Sequence, residues 1–163
     1  MTTLSSEIRI DAPKENVWRI LADFGAVQNF AANVSRSYYT SDTKEGFGVT
    51  RHCDLQNPSG YVEERVTEWR EGDGYTFDIY ESNAPLKRAA IDISLKRNGA
   101  RTMVTATLDY QLKFGPIGSL LDLLIVRQQF RKGISSPLAG LKHHVETGEL
   151  VGDALPVATG ATA

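Results

Sequence analysis

The chain has 163 residues, of which 41% are hydrophobic and 23% are charged, a composition typical of one folded globular domain. The net charge of −2 at pH 7 and the lack of a basic stripe exclude a protein that tracks a nucleic-acid backbone. Cys53 is the only cysteine, so no internal disulfide can form, which fits a reducing compartment.

Location and domain limits follow from the ends of the sequence and from its most apolar window. The first seven residues have no basic region followed by an apolar run, so they do not form a signal peptide. The window Ile117 to Val126 is too short to span a bilayer. We therefore expect a cytoplasmic protein without stable membrane insertion. One domain is predicted over residues 1–148, and a disordered tail over residues 149–163, where periodicity is lost.

The first predicted elements are a strand and a short helix. Residues Leu4 to Ile10 alternate between apolar and polar side chains, which is typical of a half-buried strand. Asp11 is a natural N-cap for the helix that follows, and Pro13 lies in its first turn. Residues 27–33 predict a second short helix, which contains Phe30 as an inward-pointing side chain.

A series of strands comes next. Asn98-Gly99 is the strongest hairpin signal in the chain. Short breaks between consecutive strands favour an antiparallel meander over parallel crossovers. The predicted strands are Ser35 to Ser41, Gly48 to Leu55, Tyr61 to Arg70, Tyr75 to Glu81, Ala90 to Arg97 and Thr102 to Phe114.

One long amphipathic helix, Ile117 to Thr147, closes the chain. Pro137 predicts a kink or a break in it, because proline lacks the backbone donor and clashes with the preceding turn. A long helix after a strand meander buries its apolar stripe against the concave face of a curved antiparallel sheet. That α+β arrangement tends to leave a cavity between helix and sheet, and cavities bind ligands.

Several segments together resemble the START and birch-pollen-allergen superfamily (SRPBCC), over about residues 4 to 148. The closest resemblance is to its polyketide cyclase/dehydrase branch. The resemblance implies a helix-grip fold, in which a curved seven-stranded antiparallel sheet wraps around the C-terminal helix and encloses a hydrophobic cavity. Members of the superfamily include aromatase/cyclases, lipid carriers and hormone receptors. The matching motifs are Asp11-Ala12-Pro13 with Val17-Trp18 and Leu21-x-Asp23-Phe24, Gly48-Val49-x-Arg51, Gly60-Tyr61-Val62-x-Glu64-Arg65-Val66 and Leu138-x-x-Leu141-Lys142-x-x-x-Glu146.

Two charged residues have the parity of the inner sheet face. Arg51 alternates in phase with Cys53 on one predicted strand. Glu64 alternates in phase with Val62 on the next. Because an unpaired buried ion costs several kcal/mol, we predict an Arg51–Glu64 pair, or an Arg51 that binds a ligand carboxylate or phenolate through its planar fork. The alternatives are a structural pair near the sheet edge, or an error in the assigned parity.

Further candidate ligand contacts lie on later elements. Phe77 and Tyr110 belong to inward rows of their strands, and the Tyr110 hydroxyl is a candidate donor to a ligand. The alternative for Tyr110 is a core side chain whose hydroxyl is satisfied nearby. Gln128 and Arg131 fall on the apolar face of the last helix, where we predict contact with a polar head group at the cavity mouth. The alternative is that the helix overhangs the sheet there and both side chains are solvated.

Neither a metal site nor a cofactor is predicted. His52 is expected to point outward, on the face opposite Arg51, and His143-His144 lack the i, i+4 spacing of metal ligands on a helix. With one cysteine and no carboxylate–histidine cluster, no set of metal ligands is recognisable. Cys53 is expected to be a small buried hydrophobe.

These features predict a protein that binds a small hydrophobic molecule, aromatic, polyketide-like or lipid-like, in an internal cavity. Arg51, Glu64 and Tyr110 are the predicted orienting groups. A first alternative is a polyketide cyclase, aromatase or dehydratase in which Glu64 is the base and Arg51 stabilises an enolate. A second alternative is a protein-interaction module with a filled cavity. In that case Tyr61 and Trp69, exposed on the outer sheet face, bind a partner or a second copy in a homodimer.

Overall fold

The computed structural model describes residues 1–56, 59–113 and 125–151. The elements are β1 (Thr2–Ile10), α1 (Lys14–Ala22), a 3-10 helix (Phe24–Asn29), β2 (Val34–Tyr39), β3 (Thr50–Leu55), β4 (Gly60–Arg70), β5 (Gly74–Ser82), β6 (Leu86–Asn98), β7 (Arg101–Leu112) and α2 (Arg127–Thr147). All strands of this part of the chain form one antiparallel sheet in the order β1-β7-β6-β5-β4-β3-β2.

The predicted α+β architecture, a seven-stranded antiparallel sheet with a C-terminal helix, is confirmed. β2 to β7 follow one another as a meander, and Asn98 pairs with Arg101 across the hairpin turn predicted from Asn98-Gly99. The predicted helical residues 117–124, the strand end at Phe114 and the predicted tail beyond residue 151 lie outside the described residues. An internal cavity stays a prediction.

The helices cover different parts of the inner sheet face. α2 packs against β1 and β7, α1 packs against β6 and β7, and the 3-10 helix packs against β2 and β3. An amphipathic helix buries the residues that recur every three or four positions, and both α-helices follow this rule. The buried helical side chains are Val17, Trp18 and Leu21 of α1 and Ile134, Leu138 and Leu141 of α2.

The starts and interruptions of the helices differ from the prediction in two places. Pro13, not Asp11, is the N-cap of α1. The Asp11 carboxylate turns away from the helix and accepts from Arg101 Nε at 2.6 Å. α2 runs through Pro137 without the predicted break, whereas the alternative of a kink stays a prediction. A proline removes one intrahelical bond to the carbonyl four residues back, and here that carbonyl belongs to Gly133, which is exposed and can be hydrated.

Trp69 lies on the inner side of the sheet, and its predicted place on the outer face is wrong. The β4–β5 register shifts between Val66 and Glu68. A bulge of this kind adds one residue to a strand and exchanges its faces beyond that point. Trp69 therefore packs against Trp18 of α1, with ring centroids 5.1 Å apart.

Candidate functional site

Arg51 and Glu64 come together on the inner face of the sheet. The β3–β4 register places them directly opposite each other, where cross-strand side chains touch. Only 4% of Arg51 and 7% of Glu64 are exposed. Arg51 Nε lies 2.5 Å from Glu64 Oε2. The predicted ion pair is therefore confirmed, whereas its role toward a ligand stays a prediction.

The Arg51 guanidinium is also held by the 3-10 helix above it. Arg51 Nη1 donates to the Phe24 carbonyl oxygen at 2.5 Å. The guanidinium carbon lies 3.8 Å from the centroid of the Phe24 ring and 5.2 Å from that of Phe77. A cation over an aromatic face is attracted to it, the more so when both are desolvated. Arg51 thus connects β3, β4 and the 3-10 helix, and the Phe24 carbonyl is a partner that the sequence did not indicate.

The electrostatics of the pair are those of a buried, neutralised unit. Burial alone would lower the pKa of Arg51, but the adjacent Glu64 carboxylate outweighs it and the pKa is raised. Cys53 lies next to the pair, its Sγ 3.7 Å from Glu64 Oε2 and 3.6 Å from Ser37 Oγ. Burial, assisted by Glu64, raises the pKa of the Cys53 thiol to about 12. A thiol in that state is a poor nucleophile, so Cys53 is the small buried side chain that was expected.

Aromatic side chains surround the ion pair on the side of α1 and the 3-10 helix. Phe24 meets both Tyr75 and Phe77 edge to face, with centroids 5.5 Å apart in each case. Tyr75 stacks on Trp69 at 5.8 Å. Rings in these orientations add stabilisation beyond their buried area. This part of the interior is a packed aromatic cluster, and Phe77 is inward as predicted.

Tyr110 is inward but belongs to a different part of the interior. It is buried on β7, and its ring meets Phe130 of α2 at a centroid distance of 4.5 Å. β7 and β3 are four strand spacings apart in the sheet order, each about 4.8 Å along the sheet. The structure therefore does not bring Tyr110 together with Arg51 and Glu64.

Gln128 and Arg131 are both exposed. The buried stripe of α2 begins with half-buried Phe130 and continues through Ile134 and Leu138. The predicted position of Gln128 and Arg131 on the apolar face is wrong, because the first turns of the described helix overhang the sheet. Contact with a ligand head group at this end stays a prediction.

His52 lies on the outer face of the sheet, as predicted. Its ring is stacked between Tyr38 and Tyr61, with centroid distances of 5.0 and 5.8 Å. Nδ1 lies 2.5 Å from Glu63 Oε1, and Nε2 lies 3.0 Å from Asp54 Oδ1. These two carboxylates raise the pKa of His52. The acid–base capacity of this histidine is thus directed away from the interior.

Other site types find little support in the part of the chain that the structure describes. Within it, no three His, Cys, Asp or Glu side chains are grouped to hold a metal ion, and no helix is long and apolar enough to cross a membrane. A pocket of about 90 Å³ lies at the end of β1, at the sheet edge opposite β2 and β3. Its polar lining does not suit an apolar ligand. The lining residues are Arg9, Asp11, Arg101 and Lys142.

Comparison with known proteins agrees with this geometry. A family model described as polyketide cyclase/dehydrase and lipid transport matches residues 1–146. No curated protein is significantly similar in sequence.

Solved structures share the fold at low sequence identity. The crystal structure of TTHA0849 from Thermus thermophilus is 23% identical, with a TM-score of 0.77 over 90% of this chain and 99% of that one. A START superfamily protein from Mycobacterium smegmatis is 17% identical, with a TM-score of 0.70 over 88% and 97%. The di-domain ARO/CYC BexL from the BE-7585A biosynthetic pathway is 18% identical, with a TM-score of 0.73 over 90% of this chain and 47% of that one. These similarities establish the helix-grip fold.

Proposed function

We propose that this chain, which belongs to the polyketide cyclase/dehydrase and lipid transport family, binds a small hydrophobic molecule between its sheet and its closing helix. The observation that carries the proposal is the division of helical cover over the inner face. α2 lies over β1 and β7, and the 3-10 helix lies over β2 and β3. The inner face of the central strands lies between them, and α1 contacts one of these strands, β6. Ile79 is half-buried on this face, whereas Phe77 and Ile91 are buried.

The chemistry of this central region suits an aromatic, polyketide-like or lipid-like molecule. Burial of apolar ligand surface contributes roughly 25 cal/mol per Å², so about 200 Å² supplies about 5 kcal/mol before the entropic cost of association. Polar groups then fix orientation. Arg51 and Glu64 at one side and Tyr110 at the other are the proposed orienting groups, with Phe77 as an apolar wall. Gln128 and Arg131 are proposed to contact a head group at the exposed end of α2.

The proposal also covers the location of the protein in the cell and its macromolecular partners. A cytoplasmic location is supported by the single cysteine, which fits a reducing compartment. The net charge of −2 supports the absence of a nucleic-acid partner. Trp69 turns inward, so the outer patch suggested for an interaction module loses one of its two aromatic residues. A homodimer stays a prediction.

The proposal is tested by native mass spectrometry of the purified protein, followed by denaturing extraction and identification of anything bound. Ile79→Trp is the informative variant, because Ile79 pairs with Glu64 on the inner face and a larger ring there fills the space a ligand needs. Tyr80→Trp is the matched control, since Tyr80 is the next residue and 46% exposed. We expect the wild type and the control to form a complex with an apolar ligand, either one that co-purifies or one that is added. Ile79→Trp should lose this binding. A wild type that binds no apolar molecule contradicts the proposal.

A second candidate function, cyclase, aromatase or dehydratase chemistry, is favoured by the buried Arg51–Glu64 pair. A carboxylate of this kind can remove a proton from a carbon next to a carbonyl, and the guanidinium can stabilise the resulting enolate oxygen. Before it can do so, Glu64 Oε2 must release its contact with Arg51 Nε and contact the substrate instead. Glu64→Gln separates the two functions. If the protein is an enzyme, this variant loses turnover of a polyketide-like substrate and still binds it.

A further inference from the structure

Tyr75 occupies the middle of the aromatic cluster on β5. Only 3% of the residue is exposed, and its ring is contacted by Trp18, Phe24, Trp69 and Phe77 at centroid distances of 5.5 to 6.2 Å. Aromatic neighbours offer no strong acceptor to a hydroxyl. The neighbouring rings therefore hold the Tyr75 ring in place, whereas a hydrogen-bond partner for its hydroxyl must come from outside this aromatic cluster.

The Tyr75 hydroxyl forms no hydrogen bond with any residue of the described chain. Other tyrosines of the sheet differ: Tyr39 donates to Asp23 Oδ1 at 2.8 Å, and Tyr61 donates to Glu81 Oε1 at 3.1 Å. A buried hydroxyl without a partner destabilises a protein, so such groups in native structures call for an explanation.

Charges of the candidate site act on this hydroxyl. Burial raises the pKa of Tyr75 to about 12, while Arg51 lowers it and Glu64 raises it. The hydroxyl is therefore protonated at neutral pH and is available as a donor. Because Arg51 and Glu64 neutralise each other, this corner of the interior does not favour a charged ligand.

We propose that the Tyr75 hydroxyl donates a hydrogen bond to a neutral acceptor oxygen of the bound molecule, such as a ketone carbonyl, beside the Arg51–Glu64 pair. This inference rests on the proposed binding function and narrows the ligand class. An oxygenated aromatic or polyketide-like molecule has such an oxygen, whereas a plain hydrocarbon does not. Tyr75 thus acts as a residue that selects the ligand by its oxygen.

The experiment compares two probes of nearly the same shape, 1-tetralone and tetralin, by isothermal titration calorimetry. We expect the wild type to bind the ketone roughly tenfold more tightly than the hydrocarbon, which is the effect of one hydrogen bond. Tyr75→Phe should reduce this ratio to about one. Tyr80→Phe is the control on the opposite face of the same strand and should leave the ratio unchanged.

The possible outcomes distinguish a failure of the proposed hydrogen bond from a failure of the proposed binding function. If both probes bind and Tyr75→Phe leaves the ratio unchanged, or if the wild type does not prefer the ketone, the inference is wrong and the binding function stands. If neither probe binds to the wild type, the binding function fails for this ligand class and the inference fails with it. Thermal unfolding gives an independent check, because removal of an unpartnered hydroxyl should leave the Tm unchanged or raise it. A lowered Tm for Tyr75→Phe would show a partner within the protein and overturn the inference.

Discussion

Lys142 and Glu146, one turn apart on α2, form an ion pair that also bonds to the backbone at the end of β1. Lys142 Nζ lies 2.6 Å from Glu146 Oε1 and donates to the Arg9 carbonyl oxygen at 2.8 Å. Glu146 Oε1 accepts from the Asp11 backbone N–H at 2.7 Å. β1 is an edge strand, and edge strands leave backbone groups without a ladder partner. The closing helix supplies those partners through two side chains.

Glu146→Ala is expected to lower the free energy of unfolding by about 1 kcal/mol, because it removes two charge-assisted hydrogen bonds at a partly exposed site. Urea unfolding at pH 7 measures the change. Glu149→Ala is the control on the next exposed acidic residue, which lies beyond the helix end. An equal effect of both substitutions would contradict a specific role of Glu146 at the strand edge.

Gly140→Ala is expected to destabilise the protein by roughly 2 kcal/mol or more, although alanine favours a helix. A Cβ at this position would lie 1.8 Å from the Phe30 carbonyl oxygen, a backbone atom that cannot move aside easily. Gly133→Ala is the matched control in the same helix, where a Cβ meets nothing within 4 Å. The control should stabilise the protein by about 0.5 to 1 kcal/mol. Opposite signs in thermal unfolding confirm the close approach, and equal signs contradict it.

Glu64→Leu and Arg51→Met are each expected to cost about 3–5 kcal/mol, because each leaves one buried charge without its partner. The double variant should cost clearly less than the sum of the two, since it leaves no charge behind. Urea unfolding of all four proteins measures this coupling. Arg65→Met, which removes a half-exposed ion pair with Asp78 on the outer face, should cost less than about 1 kcal/mol. Additive single effects at Arg51 and Glu64 would contradict a coupled pair.

Acid should change the tryptophan fluorescence of the folded protein through Glu71. The two tryptophans of the chain both donate to this carboxylate, Trp69 Nε1 at 2.8 Å and Trp18 Nε1 at 3.0 Å. These hydrogen bonds lower the pKa of Glu71. A carboxylate with a lowered folded-state pKa contributes stability that is fully present above its unfolded pKa of about 4.3 and is lost as pH falls through the folded value.

We therefore expect an emission change whose midpoint lies below about pH 4.3, the ordinary value for a glutamate, recorded while far-UV circular dichroism still shows folded protein. Glu71→Gln should abolish it, because the amide does not titrate. A midpoint at or above that ordinary value, or a transition that persists in Glu71→Gln, would contradict the assignment.

The inner face of the sheet was predictable from strand alternation. A strand has a side-chain period of two, so the parity of Cys53 and Val62 assigned Arg51 and Glu64 to the interior without knowledge of the fold. The turn at Asn98-Gly99 was readable for a similar reason, since these residue types suit its backbone geometry. Both inferences depend only on neighbours along the chain.

The features that escaped prediction depend on three-dimensional neighbours. The register shift between Val66 and Glu68 reversed the face of Trp69, and no residue type in that segment indicates a bulge. The exposure of Gln128 depends on how far α2 extends past the sheet. That the Tyr75 hydroxyl has no partner among the described residues, while those of Tyr39 and Tyr61 have one, depends on which side chain lies opposite each oxygen.

The pairing of β1 with β7 has a consequence for synthesis. These strands are the first and last of the sheet in chain order, yet they are hydrogen-bonded neighbours, with Leu4 opposite Leu108. Contacts so distant in sequence slow folding, because a long loop must close before they form. On the ribosome, β1 therefore emerges first and must wait for nearly the whole sheet before it finds its place. During that interval an unpaired strand with one apolar face is available to chaperones or to other nascent chains.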